Sequence, residues 1–399
     1  MTFNKVFFGL LLLVTGAAQI YAAAPETTWA QPATRLAKEI ANIAGPGTAA
    51  LTVSNQSTIP ESEVPAIRRA IEAQLRVNGI ALRSAENAAT TVNVTLSENL
   101  QGWVWVAGVQ QGSEVRVAII PVERVGSVTP TQPGPTMTLK KTFVFAQPTP
   151  ILDFSTIHAG SETHLVVLDG SNVSLYRSTG SKYELEEAFP IVHSRAYPRD
   201  LRGRLAIGKD HLFDAYLPGV MCSSSATTPI TVTCRESDDP WPLSTQRALY
   251  NSARNYFTGA LAPGIGKPLS PFFTAADLPR SNYALWIFTA VDGSVRESDG
   301  MNERRVTSAS DWGSDIAAVH DTCGLGTQVL VSAAGDGSDS LRAFEVPDRE
   351  PVLVSSALGF DFPITALWTS MDTTTANAVV HNTTGGRYEA YSVSVACGQ

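Results

Sequence analysis

The sequence lacks the motifs that commit a chain to catalysis. It has no Gly-x-Ser-x-Gly elbow, no His-Glu-x-x-His, no phosphate loop ending in Gly-Lys-Ser or Gly-Lys-Thr, and no dinucleotide fingerprint. Its six histidines, His158, His164, His193, His211, His320 and His381, are scattered, and none stands at short metal-ligand spacing from another. No metal or cofactor is therefore assigned. A clustered basic face is also missing: the formal charge of −8 is spread along the chain, which speaks against a nucleic-acid partner.

Long apolar runs are absent too. One short run, Val6 to Val14, follows Lys5 and leads into small residues around Tyr21, Ala22, Ala23 and Ala24. It falls well short of the ~20 residues that a membrane span needs. A charged start, a short apolar core and an Ala-x-Ala end predict a signal peptide over 1–24. Pro25 disfavours cleavage directly after Ala24. The expectation is an exported protein, periplasmic or secreted, with no integral membrane segment after cleavage.

Cysteine is scarce: Cys222, Cys234, Cys323 and Cys397 are the four in the chain. An even number in an exported chain reads as disulfides. Of three connectivities, the spacing favours Cys222 with Cys234, on two arms of one hairpin, and Cys323 with Cys397, tying the chain end to an earlier strand. A zinc site would need a close Cys-x-x-Cys pair, and there is none.

The chain reads as two domains. In the first, a small α/β domain over 32–125, Leu36, Ile40 and Ile43 recur at helical spacing before Gly45-Pro46-Gly47. Ala49 to Ser54 is a short strand. Glu61 to Asn78 is the clearest helix, with Val64, Ile67, Ile71 and Leu75 on one stripe and Asn78-Gly79 as its stop. Ile80 to Arg83 is the strand after it, and the two strands should pair in parallel. Val92, Val94 and Leu96 then alternate with polar residues, and Trp103 and Trp105 share one face, read as packing residues. Residues 126–137, rich in Pro and Gly, read as a linker.

Over 138–399 helix signals nearly vanish and hairpins recur. Five can be written: His164–Leu168 with Val173–Arg177, Leu212–Val220 with Ile230–Arg235, Tyr283–Phe288 with Val295–Glu297, Gln328–Val331 with Leu341–Val346, and Ala378–His381 with Tyr388–Val395. Each follows a short apolar segment: Ile151–Phe154, Arg204–Ile207, Pro271–Leu278, Asp315–Val319 and Ile364–Trp368. A four-strand repeat of this kind predicts an all-β β-propeller of five blades. The fifth lacks a fourth strand at its C-terminal side. Leu139–Ala146, carrying Phe143 and Phe145, is placed to complete it and close the ring, which would remove exposed strand edges. Two packed sandwiches are the alternative. Asp239 to Gly266 fits the repeat least and has room for an extra strand pair.

Acidic tips such as Asp169-Gly-Ser-Asn172 and Asp292-Gly293 suggest calcium less than they suggest tight turns, which need positive φ. A different set carries the functional reading. Asp153, Asp200, Asp277 and Asp315 lie in or beside the segments assigned to innermost strands, so that carboxylates from several blades are candidates to meet at one channel mouth, with Trp312 or Trp368 beside them. Such a mouth is a candidate binding site for a glycan, or for its hydrolysis by paired carboxylates.

The order of signal peptide, small α/β domain, linker and propeller, with the Glu61–Asn78 helix leading into Ile80–Arg83, resembles the TolB-type proteins of the cell envelope. The hairpins with Asp-Gly tips are also similar to FG-GAP or VCBS repeats. The chain departs from both: it has no repeated Pro-Asp-Gly turns and no Asp-x-Asp-x-Asp-Gly ladder. The TolB resemblance implies contact with protein partners through both domains. The sequence-level reading is thus an exported, non-enzymatic protein-interaction or scaffold protein, the alternative being a glycan-binding or glycan-hydrolysing propeller.

Overall fold

The computed structural model describes residues 29–100, 102–123, 136–180, 182–194, 196–262, 267–280, 283–333, 337–347 and 350–398. The expected signal segment 1–24 and most of the expected linker 126–137 lie outside the described residues. The chain forms two compact units, Met1–Leu96 with Val104–Val125, and Ser97–Trp103 with Gly126–Gln399.

The first unit is built on α1 (Ala30–Ala44), β1 (Gly47–Asn55), α2 (Val64–Val77), β2 (Ile80–Leu82), β3 (Thr90–Asn99), β4 (Gly102–Gln111) and β5 (Glu114–Val122), the facing ends of β3 and β4 within 97–103 being counted with the second. In α1 the buried stripe is Ala33, Leu36, Ala37 and Ile40; in α2 it is Ile67, Ile71 and Leu75. Gly45 ends α1 at φ 69°, a conformation that costs a side chain dearly and glycine little. Asn78 closes α2, its amide nitrogen donating to Gln74 O at 2.7 Å. β1 pairs in parallel with β2, Gly47 opposite Ile80, so α2 is the crossover that the sequence predicts. The sheet order is β2-β1-β3-β4-β5. One face of it buries Val92, Val94 and Leu96 on β3, Trp105, Ala107 and Val109 on β4, and Ala118, Ile120 and Val122 on β5. Trp105 packs 5.9 Å from the Trp29 ring, whose Nε1 donates to Glu63 Oε2 at 2.9 Å. Trp103 is half-buried.

Among the described residues the second unit has strands and turns and no helix. After β6 (Met137–Gln147) come β7 (Asp153–Ala159), β8 (Glu162–Leu168), β9 (Asn172–Thr179) and β10 (Lys182–Pro190), then β11 (Arg204–Ala206), β12 (Asp214–Leu217), β13 (Val220–Ser224) and β14 (Val232–Glu236). β15 (Trp241–Leu243), β16 (Gln246–Asn251) and β17 (Tyr256–Ala262) follow, with β18 (Phe272–Pro279), β19 (Ala284–Ala290), β20 (Val295–Ser298) and β21 (Glu303–Arg305). The chain then forms β22 (Trp312–His320), β23 (Thr327–Ala333), β24 (Asp339–Glu345), β25 (Val352–Leu353) and β26 (Leu358–Phe360). It ends in β27 (Ile364–Thr369), β28 (Ala376–Asn382) and β29 (Arg387–Cys397).

These strands make five sheets in a propeller arrangement: β7 to β10, β11 to β14, β15 to β21, β22 to β26, and β27-β28-β29-β6. The third has seven strands, and its two parts, β15 to β17 and β18 to β21, meet at the single pair Phe257 and Phe272. The residues that fit the repeat least therefore fold as a meander of their own. A second departure is the expected strand Leu212–Val220. It is two strands, because Pro218-Gly219 turns the chain back with Gly219 at φ 80°, leaving Leu217 opposite Val220.

β6 runs antiparallel to β29 from Gln147 opposite Tyr388 to Met137 opposite Cys397, with Phe145 facing Ala390 and Phe143 facing Tyr391. Both disulfides join the expected partners. Cys222 and Cys234 face each other across β13 and β14, and Cys323 is bonded to Cys397.

The core lies between neighbouring sheets. Leu152, Val166, Leu168, Leu205, Ala215 and Leu217 form one layer; Leu139, Leu330, Leu341, Leu367, Ala378 and Val393 form another. A third is aromatic: Trp241 stacks on Tyr250 with centroids 4.2 Å apart, and Phe257 on Phe272 at 5.1 Å. Buried aromatic faces of this size carry much of the burial that holds one sheet against the next.

Candidate functional site

A cavity of about 340 Å³ lies in the second unit. Its walls come from β11, β15, β18, β22 and β27 or the turns that follow them, each the first strand of a sheet or meander. Arg204, Ser244, Thr245, Asp277, His320 and Trp368 are among its polar and aromatic members, with Thr369, Ser370 and Thr373 beside them, and Ile207, Pro242 and Met371 stand among its apolar ones. Ile207 is 67 % exposed.

Of the six residues singled out from sequence, the structure brings Asp277 and Trp368 to this cavity. Asp277 is 3 % exposed. Its Oδ2 accepts the hydroxyls of Ser244 at 3.0 Å and Thr245 at 3.1 Å, while Oδ1 is buried without a hydrogen-bond partner. Both hydroxyls sit on the turn after β15, where Ser244 adopts φ 54°. Trp368 presents its ring to Arg204, the guanidinium lying 5.1 Å from the centroid, and its Nε1 donates to Leu152 O at 3.2 Å. It is a wall of the cavity held from behind, not a free platform.

The other four are spent elsewhere. Asp153 is a buried junction: it accepts the backbone N–H groups of Phe154 and Leu205, both at 2.8 Å, and Asn377 Nδ2 at 3.0 Å. Burial raises its pKa above the ordinary carboxylate value, opposed by the Arg204 charge 3.8 Å away. The same burial lowers the Arg204 pKa, and Arg204 Nη1 donates to Thr369 O at 2.8 Å. Asp315 is paired with Arg202 at 2.9 Å and accepts the Ser314 hydroxyl at 2.6 Å. Asp200 is exposed and contributes its backbone carbonyl to Asn255 Nδ2. Trp312 packs on Phe344 at 4.8 Å. Among the described residues no three His, Cys, Asp or Glu side chains are grouped so that they could hold a metal ion. The expected meeting of four carboxylates at one mouth does not form.

The acidic hairpin tips serve their own backbone. Asp169 Oδ1 accepts the N–H groups of Ser171 and Asn172 at 2.6 and 2.7 Å, and Asp292 Oδ1 accepts that of Ser294 at 3.0 Å, with Gly293 at φ 78°.

Arg204, Ser244, Thr245 and His320 are the site residues that sequence reasoning missed. They come from three sheets, and nothing local marks them; the single hint was that Arg204 opens a segment already assigned to an innermost strand. His320 is fixed through Nδ1, 2.9 Å from Thr327 Oγ1.

No family model matches the chain, and no curated protein matches it. Solved structures similar to it include TolB from Acinetobacter baumannii, at 10% identity and a TM-score of 0.22, covering 88% of this chain and 97% of that one. The Dos1 propeller is 13% identical with a TM-score of 0.33, covering 72% and 89%. BBS1N in complex with ARL6DN is 10% identical with a TM-score of 0.32, covering 65% and 97%. The similarity to TolB and to other propellers is thus present and weak. No helix among the described residues is long and apolar enough to cross a membrane.

Proposed function

We propose that this chain is an exported, non-enzymatic interaction protein whose propeller presents its channel mouth to a protein partner in the periplasm or outside the cell. The observation that carries the reading is the make-up of that mouth. It holds one carboxylate instead of a converging set, and its lining includes the exposed Ile207 together with the half-buried Pro242 and Met371. Glycoside hydrolysis works through two carboxyl groups flanking the bond. Here Asp153 and Asp315 are committed to backbone and to arginine. An exposed apolar side chain at the edge of a pocket, as at Ile207, is what a protein partner can cover.

In this reading the second unit is a ring of six blades instead of the expected five, the seven-stranded sheet filling two places. β6 closes it by completing the blade of β27, β28 and β29. The pairing of β6 with β29, and the five first strands that share one cavity, support this. The division into signal peptide 1–24, α/β domain 32–125, linker 126–137 and propeller 138–399 belongs to the same proposal, as does cleavage near Ala24.

A photo-crosslinking amino acid placed at Ile207, and separately at Glu184 on β10, tests the reading in an envelope extract of the source cells. A discrete protein adduct from position 207 and none from 184 is expected. Equal adducts from both positions, or retention of the chain by a defined sugar on a glycan array with no protein adduct, would overturn it.

A further inference from the structure

We infer that the cavity at Asp277 recognises a primary ammonium group, the tip of a lysine side chain or a chain amino-terminus, carried by what docks there. The inference rests on the channel mouth being the binding face and adds the chemistry that it reads. It starts from an imbalance of charge. Asp277 is 3 % exposed and has no ion-pair partner among the described residues. A carboxylate taken out of water is stabilised by a cation or by a full set of donors. Asp277 has half a set: Ser244 and Thr245 donate to Oδ2, and Oδ1 receives nothing.

The other charged side chain of the cavity does not cancel it. Arg204 faces Asp153 at 3.8 Å and donates to Thr369 O at 2.8 Å, so its charge is matched and one donor is in use. Its Nε is buried and unpartnered, and it belongs to the Arg204–Asp153 pair. The unmatched charge of the cavity is therefore negative, and it sits on a carboxylate whose second oxygen is buried without a hydrogen-bond partner. A protonated amine brings both the charge and three N–H groups.

The walls suit a stem as well as a head. Leu205, Ala275, Ile316 and Ala318 line the cavity, and its volume of about 340 Å³ corresponds to roughly ten water volumes. An aliphatic chain of a few methylenes fits, with its ammonium at Asp277. An amine with apolar flanks places each part against its match. A neutral polyol would satisfy Oδ1 and leave the charge uncompensated.

The test is isothermal titration of the full mature chain with three probes: Nα-acetyl-lysine amide, its neutral isostere Nα-acetyl-norleucine amide, and a glycine-led peptide amide with a free amino-terminus. Saturable binding of the lysine probe, at least ten-fold tighter than the norleucine probe, is expected. It should weaken ten-fold or more in Asp277→Asn and fall as salt rises. The peptide arm separates a side-chain amine from a terminal one, and the tighter of the two names the source. Equal affinity for the lysine and norleucine probes, absence of binding by both amines, or unchanged lysine binding in Asp277→Asn would overturn the inference. If Asp277→Asn does not fold, the comparison of charged and neutral probes on the wild-type chain decides. Loss of amine binding with a protein adduct still formed at Ile207 would sink this inference and leave the proposed function standing. Amine binding without any protein adduct would do the reverse.

Discussion

Asp153 accepts the backbone N–H of Leu205 at 2.8 Å, so one carboxylate oxygen joins the first strands of two different sheets. Its other oxygen takes the N–H of Phe154 and the side-chain amide of Asn377, near the start of β28 in a third sheet. Three sheets thus converge on one buried side chain, with Arg204 as its counter-charge.

Asp153→Asn should be strongly destabilising, since it turns an amide donor toward groups that already donate and strips Arg204 of its partner. Breaking a buried pair from one side costs about 3 kcal/mol or more. Urea denaturation followed by circular dichroism checks this. A midpoint equal to that of the wild type would show that the junction contributes nothing.

Glu297 lies on β20, fully buried, with Arg304 Nε donating to its Oε1 at 2.6 Å. Desolvation pushes its pKa from 4.5 up to about 7, against the Arg304 charge. The folded state therefore holds a proton that the unfolded state releases, and stability falls as pH rises from about 4.5 to about 7. Glu297→Gln should remove that part of the slope and gain stability over the wild type between these limits, by roughly 3 kcal/mol at most. Unfolding midpoints at pH 4.5, 6 and 8 for both proteins read this out. Parallel curves would refute it.

The Cys323–Cys397 bond closes a loop with a sequence separation of 74, and Cys222–Cys234 one of 12. Chain-entropy reasoning assigns about 4.5 kcal/mol to the first and about 3 kcal/mol to the second. Cys397→Ser with Cys323→Ser should therefore cost more than the matching double serine variant at 222 and 234. Hydrogen exchange in the first variant should rise along β6 and β29, whose last residue pair is Met137 and Cys397. Faster exchange confined to β13 and β14 would contradict this.

Leu139 and Phe143 lie on the same strand and should respond oppositely. Leu139 is 6 % exposed within the core layer of Leu330 and Val393, whereas Phe143 is 55 % exposed. Leu139→Ala should cost about 2–4 kcal/mol and Phe143→Ser less than about 1 kcal/mol. Similar losses at both positions would show that β6 is not seated by its buried face.

Much of the fold could be read along the chain. α2 was marked by Ile67, Ile71 and Leu75 with Asn78-Gly79 after them, because a helix buries one stripe and needs a stop. The hairpin tips at Asp169 and Asp292 were marked because tight turns demand residues that accept positive φ or bond their own backbone. β15, with three residues, left no period to detect. The Pro218-Gly219 turn was hidden between apolar strands that read as one run.

The candidate site was less legible. Asp153, Asp200, Asp277 and Asp315 look alike in sequence, each an aspartate near a short apolar segment, yet one is a junction, one is exposed, one faces a cavity and one pairs with arginine.

By itself the sequence determined the local pieces: the two helices and their C-terminal stops, the parallel β1–β2 crossover, the run of hairpins, and the pairing of cysteines by distance along the chain. Those depend on side chains within a few residues, or on one face repeating at a fixed period. Only the tertiary structure decided which of the four expected aspartates keeps a buried oxygen without a hydrogen-bond partner. That outcome depends on neighbours separated by 33 residues at Ser244 and Asp277, by 52 at Asp153 and Leu205, and by 224 at Asp153 and Asn377. Such neighbours meet through the packing of one sheet against the next, and no period along the chain encodes them.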